Sequence, residues 1–282
     1  MAKFGLLLTS FDKGTTPQLV ARIAEEEGFD SFYLPENSHV PLKRPGTRKK
    51  FENIRRLANF YDPYISLAAC AALTKCIVLG TSVSLLTQRE PIVTANVIAS
   101  LDRIANGRLV VGVAGGFIRE AMENFGSSFV KRWQIVRERT MTMRSIWKGS
   151  EGIAPFTTSN KSCCRQSIPP YQKGGPPIRI GSNSKYVPSR VADYADGWIT
   201  SYGAYDGDPI ADLKYACASV NRDFSTVSTT MMNPPDSFAE LKKLVSDGYD
   251  EIVWPVSQVG NLSVTERLKQ LAYLAARLRR VS

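Results

Sequence analysis

Apolar positions fall into two alternating patterns along the chain. Short unbroken runs, such as Phe4–Leu8 and Phe29–Leu34, suit strands buried on both faces. Between them, Leu19, Val20, Ile23 and Ala24 repeat at helical spacing. Thr15, Thr16 and Pro17 open that helix, with threonine as cap and proline in the first turn, and Gly28 stops it. One β-α-β unit thus fills the first thirty-odd residues and predicts a parallel sheet.

The alternation continues. Helices are predicted at Pro63–Leu73, Pro91–Ile104, Ile118–Asn124 and Phe129–Trp147, the last from Val130, Trp133, Val136, Thr140, Met143 and Trp147. Further helices are predicted at 188–195, 209–220 and 236–247, and Ser263-x-x-Glu266 is a capping box before a final one. Strands are expected near residues 4, 31, 77, 109, 178, 197, 227 and 250. Eight β-α units predict a single (β/α)8 TIM barrel over 1–282, with a doubly wound sheet as the competing fold. Two segments lack periodicity: a basic excursion from Asn37 to Phe60, and 149–176, an insertion or lid between strands 4 and 5.

Composition narrows the chemistry. Thirty-six Lys and Arg against 26 Asp and Glu give a net charge of +10, compatible with an anionic ligand. The basic residues are scattered; the densest run, Arg44–Lys50 with Arg55 and Arg56, has only Phe51 as an aromatic, so nucleic-acid binding is not expected. Five cysteines (Cys70, Cys76, Cys163, Cys164, Cys217) form no C-x-x-C pattern, and His39 is the sole histidine, which argues against zinc and a disulfide framework and for a reducing cytoplasm. The N-terminus reads as a strand rather than a signal peptide. Lys75 and Gly80 divide the most apolar stretch, so no membrane span is expected.

A barrel of this kind works at the C-terminal ends of its strands. Those positions hold Thr9-Ser10, then Glu36-Asn37-Ser38-His39, Thr81-Ser82-Val83 with Gln88-Arg89, Ala114-Gly115-Gly116, Gly181-Ser182-Asn183-Ser184 and Thr200-Ser201-Tyr202. Glu36 and His39 are the titratable pair closest to a strand end and the candidate catalytic residues. The glycines and hydroxyls at 114–116 and 181–183 suit either tight turns or a phosphate held by backbone N–H groups at a helix N-terminus.

Four motifs then carry a resemblance. The run from Gly107 to Glu120 (GRLVVGVAGGFIRE), continued by Glu123–Gly126 (ENFG), resembles the signature of luciferase-like monooxygenases and their deazaflavin relatives. Leu79–Pro91 with Ala99–Asp102, Pro177–Ser182, and Asp196-Gly197-Trp198 are similar to that family's other strand signatures. Pro35–Pro41 resembles its F420-dependent oxidoreductase subgroup. The resemblance implies a flavin or deazaflavin over the barrel mouth, backed by a non-proline cis peptide at Ser82–Val83. It implies a phosphate between Gly115-Gly116 and Gly181-Ser182-Asn183, and His39 near the ring or the substrate. The family has glycine where Ala114 stands, often tryptophan at Phe117, and Gly-Gly-Ser where this chain has Gly181-Ser182-Asn183.

The expected activity is hydride transfer between the deazaflavin F420 and a small organic substrate. The competing readings are an FMN-dependent monooxygenase and a barrel that binds a partner without catalysis. A homodimer is expected, through the helices at Pro63–Leu73 and Pro91–Leu101.

Overall fold

The computed structural model describes residues 2–9, 16–41, 60–149, 168–257 and 263–281. Within them, eight parallel strands close into a barrel in sequence order. These are β1 (Lys3–Leu8), β2 (Ser31–Leu34), β3 (Val78–Leu85), β4 (Leu109–Ala114), β5 (Ile178–Gly181), β6 (Gly197–Ser201), β7 (Ser228–Met232) and β8 (Glu251–Val256). β8 pairs with β1 from Lys3↔Glu251 to Leu8↔Val256, which closes the ring. The helices are α1 (Pro17–Glu26), α2 (Pro63–Leu73), α3 (Pro91–Ile104), α4 (Arg119–Glu123), α5 (Arg132–Trp147), α6 (Val187–Tyr194), α7 (Pro209–Ser219), α8 (Phe238–Ser246) and α9 (Val264–Arg279).

The fold expectation holds, with local differences. Thr16 occupies the N-cap of α1, but its side chain makes no capping bond; Pro17 at the first position sets the helix start. Leu19 is partly exposed, so α1 buries Pro17, Val20, Ala21 and Ala24 instead. α5 begins at Arg132, which leaves Val130 outside it and exposed. The capping box at Ser263 and Glu266 forms, and α9 buries Val264, Leu268, Leu271, Ala275 and Leu278. Ser10, the run Arg44–Lys50 with Arg55 and Arg56, Cys163-Cys164 and most of the 149–176 insertion lie outside the described residues. None of the described helices is long and apolar enough to cross a membrane. No group of three or more metal-ligating side chains occurs among the described residues.

Strand alternation divides the interior. Phe4, Leu6 and Leu8 pack outward under the helices, whereas Leu7 joins Tyr33, Ile199, Met232 and Val253 inside the barrel, with Val83 against them. Toward the N-terminal end of the barrel the interior is polar. Glu251 accepts hydrogen bonds from Ser31 and from the Tyr33 hydroxyl (2.9 Å to Oε2), and it pairs with Arg179. Arg179 Nη1 also donates to Thr230 Oγ1 at 2.8 Å. Burial alone would raise the Glu251 pKa; the Arg179 charge and the hydroxyl donors outweigh it and hold the carboxyl below its ordinary range.

Candidate active site at the barrel mouth

β3 is broken where the mouth begins. Its register with β4 shifts between Thr81 and Ser84, and the Ser82–Val83 peptide is cis, as the resemblance implied. The irregularity turns the Val83 side chain toward the end of β5. A Cβ at Gly181 would lie 2.3 Å from Val83 Cγ1, so only glycine fits beneath this ridge. Gly181 is therefore a packing requirement of Val83.

Glu36 lies at the end of β2, buried, and its carboxylate is fully engaged. Oε2 accepts from Ser84 Oγ (2.8 Å) and Leu85 N–H (2.7 Å), just past the irregular segment, while Oε1 pairs with Arg89. Arg89 in turn pairs with Asp62 at 2.6 Å and lies over the Tyr64 ring. The Tyr64 hydroxyl donates to Ser84 Oγ at 3.0 Å. Glu36 thus ties β2 to the ridge. Beside it opens a cavity of about 350 Å³, lined by Glu36, Ser38, Asp62, Gln88 and Arg89 among others.

His39 stands further out and is partly exposed. Its Nδ1 is 2.9 Å from Ser38 Oγ, its Nε2 is 2.9 Å from Asn124 Nδ2, and its ring tilts against Phe125. Glu36 and His39, paired in the sequence reading, have separate partners: Glu36 faces β3, and His39 faces the residue that ends α4.

The 114–116 turn supports part of the glycine argument. Gly116 has φ +76°, which a branched side chain rarely adopts, although a Cβ there would have room. Gly115 lies outside the left-handed region; its missing Cβ makes room for the Arg132 stem, whose Cγ would be 3.1 Å from it. Ala114, the last residue of β4, is buried. On the opposing loop, Ser182 N–H is used by the Ile199 carbonyl (3.3 Å), so it is not free for an anion. The Asn183 side chain is used too: Oδ1 accepts from Thr200 Oγ1 (3.0 Å) and Ser201 N–H (2.9 Å), locking the loop onto β6. The Trp198 indole N–H holds the Ser182 carbonyl at 2.8 Å. Ser182 keeps a hydroxyl proton to donate.

Two arginines complete this edge, and the sequence reading missed both. Arg132, beside Gly115, stacks on Phe129 with its guanidinium carbon 4.2 Å from the ring centroid. Arg190 on α6 stacks on Trp133 at 4.4 Å, and its Nη1 is buried without a hydrogen-bond partner. Among the described residues neither pairs with a carboxylate. Burial lowers the Arg190 pKa, Tyr194 opposes this, and the nearby Arg132 charge adds to the lowering. Two stacked guanidiniums at two helix starts, one with an unsatisfied buried donor, form a receptacle for an anion. The phosphate that the resemblance implies would suit that chemistry. Nothing in a chain of 36 scattered basic residues marks these two; only the fold brings them together.

The motif residues are mostly architectural. Arg108 donates to the Ala105, Ala71, Thr74 and Ile77 carbonyls, tying α2 and α3 to β4. Asp102 accepts from Gln172 N–H and Nε2, both at 2.8 Å. Asp196 receives Ile178 N–H at 2.8 Å and pairs with Arg144. Gly197 leaves room for Ser228, whose Oγ would be 2.2 Å from a Cβ there.

Known proteins resemble this chain in sequence and in fold. An uncharacterized protein of Mycobacterium tuberculosis is 32% identical over 256 residues, covering 86% of this chain and 88% of that one. A phthiodiolone/phenolphthiodiolone dimycocerosates ketoreductase of the same organism is 25% identical over 213 residues, covering 70% of this chain and 55% of the longer enzyme. Among solved structures, a monooxygenase from Streptomyces bottropensis superposes with TM-score 0.78 at 16% identity, covering 99% of this chain and 100% of that one. An F420-dependent secondary alcohol dehydrogenase in complex with an F420-acetone adduct superposes with TM-score 0.75 at 14% identity, covering 99% and 100%. The luciferase-like monooxygenase profile matches residues 18–234, and with that span this chain belongs to the luciferase-like monooxygenase family.

Proposed function

We propose that this protein is an oxidoreductase that moves hydride between the deazaflavin F420 and a small organic substrate at the barrel mouth. The observation that carries the reading is the stacked Arg132–Arg190 couple beside Gly115 and the β5–α6 loop, without a carboxylate partner among the described residues. An anionic tail answers that charge. The ketoreductase among the relatives and the F420-dependent dehydrogenase among the superposed structures support the class of reaction.

When bound, the deazaflavin would supply a carbon that accepts or gives hydride, while the protein positions and desolvates it. Arg132, Arg190, the Gly115-Gly116 turn and the Ser182 hydroxyl would hold the phosphate. Val83 would back the ring, with Gly181 keeping the space behind Val83. Glu36 is assigned to positioning, because both its oxygens hold β3 and Arg89. His39 remains the candidate for moving a proton to or from the substrate.

We also propose a homodimer through α2 and α3, where Ile65, Leu73, Ile92, Val93 and Ile104 are exposed. Ile65→Asp with Val93→Asp should release monomers of 31.2 kDa in light scattering. A wild-type chain already monomeric at micromolar concentration would refute the dimer.

The activity is tested by the absorbance and fluorescence of protein purified from its own source. A deazaflavin spectrum supports the proposal. An FMN spectrum replaces it with a reduced-flavin monooxygenase, and a colourless protein that takes up neither group leaves a non-catalytic barrel.

A further inference from the structure

The hydrogen bonds around His39 form one directed chain. Ser38 Oγ lies 2.9 Å from His39 Nδ1 and, as donor, 2.9 Å from Gln88 Oε1. A hydroxyl has one proton. Since Ser38 gives it to Gln88, it can only accept from Nδ1, which must carry hydrogen. At the other end, Asn124 Nδ2 has only protons to offer at 2.9 Å, so Nε2 must carry none. With the amides so placed, Asn124 presents its NH2 at one end of this chain and Gln88 its carbonyl oxygen at the other.

From this we infer that Asn124 is a positioning residue that holds neutral His39 as its Nδ1–H tautomer and keeps Nε2 as the proton acceptor. The Ser38–Gln88 pair completes the device, and Gln88 also lines the 350 Å³ cavity beside Glu36. Asn124 reaches His39 across 85 residues of sequence, from the end of α4 to the loop after β2. A substrate hydroxyl that bonds to Nε2 must displace the Asn124 amide, and it meets a base ready to take a proton. Without Asn124 the imidazole would be free to carry its proton on either nitrogen. The inference deepens the proposed role of His39, but its geometry needs no cofactor.

The chain has a single histidine, which makes the test direct. Tag-free protein with ¹⁵N-labelled histidine shows one imidazole by NMR, observed well above the ordinary histidine range of about 6.5. Wild-type protein should give a pyrrole-type Nδ1 and a pyridine-type Nε2. Asn124→Asp replaces the donor with an acceptor of the same shape and should interchange the two signatures. Ser38→Ala removes the Nδ1 acceptor and should give a mixture. A pyrrole-type Nε2 in the wild-type protein overturns the inference. So does an unchanged spectrum in a folded Asn124→Asp, checked by thermal melt. The expected tautomer in a protein that binds no deazaflavin would sink the functional proposal alone; a bound deazaflavin with the opposite tautomer would sink this inference alone.

Discussion

The two ends of the barrel treat arginine in opposite ways. At the N-terminal end the Arg179 side chain is largely buried, and its Nη1 meets Glu251, Tyr33 and Thr230, while Nε has no hydrogen-bond partner. At the mouth Arg132 and Arg190 lie on aromatic rings, beside each other, with no carboxylate partner among the described residues. In the first arrangement the charge is met by a buried carboxylate. The second leaves like charges together, a cost that a bound anion would reverse. Stability at one face and binding at the other is the division expected of this architecture.

Breaking the closed end should have the largest effect. Glu251→Ala leaves Arg179 buried and unpaired, and should cost about 3–5 kcal/mol in a denaturant melt. The double variant Arg179→Met with Glu251→Leu should recover most of that loss, because hydrophobic replacement removes both charges together. A double variant as unstable as Glu251→Ala would show that the network sustains the barrel by more than charge pairing.

At the mouth the expected signs reverse. Arg190→Met removes the guanidinium that lies over Trp133 but keeps an unbranched apolar side chain, and should change stability by no more than about 1 kcal/mol. Deazaflavin affinity should fall on the order of tenfold to a hundredfold, as for loss of one charge-assisted bond. Gly116→Val should weaken binding by a similar factor on the order of tenfold or more, because its backbone conformation excludes a branched residue. Ser182→Ala should have the smallest effect on affinity, since it removes one hydroxyl donor. A loss in Ser182→Ala larger than in Arg190→Met would place the phosphate on the β5–α6 loop rather than on the arginines.

Glu25 gives the comparison a pH axis. Burial would raise its pKa, but hydrogen bonds from Ile77, Cys76 and Lys75 N–H together lower it. A lowered folded-state pKa contributes stability that is present above the unfolded value, about 4.3, and lost as pH falls through the folded one. Glu25→Gln should therefore destabilise at neutral pH by roughly 1 kcal/mol, given partial exposure, and the difference from wild type should vanish in acid. A constant difference across that range would mean that the carboxylate charge is irrelevant there.

The fold was legible because parallel strands covered on both faces leave continuous apolar runs, and helices between them keep their period. The Ser82–Val83 ridge was legible through motif resemblance, and so was the mouth as the place to look. The rest depended on three-dimensional partnership. Glu36 and His39 are neighbours in sequence, yet one is bound to β3 and Arg89 and the other to Ser38 and Asn124. Arg179 and Glu251 are ordinary strand residues until the barrel closes. Gly181 was read as part of a phosphate loop, whereas its immediate requirement is the Val83 side chain.

The claim that the mouth is an anion-anchored deazaflavin site is tested most directly by titrating wild-type protein and Arg190→Met with F420 and with FMN, monitored by fluorescence beside thermal melts. The account predicts saturable F420 binding by the wild-type chain, tighter than FMN, and a loss on the order of tenfold to a hundredfold in an equally stable Arg190→Met. Equal F420 affinity in both proteins, or no F420 binding by the wild-type chain, would contradict it.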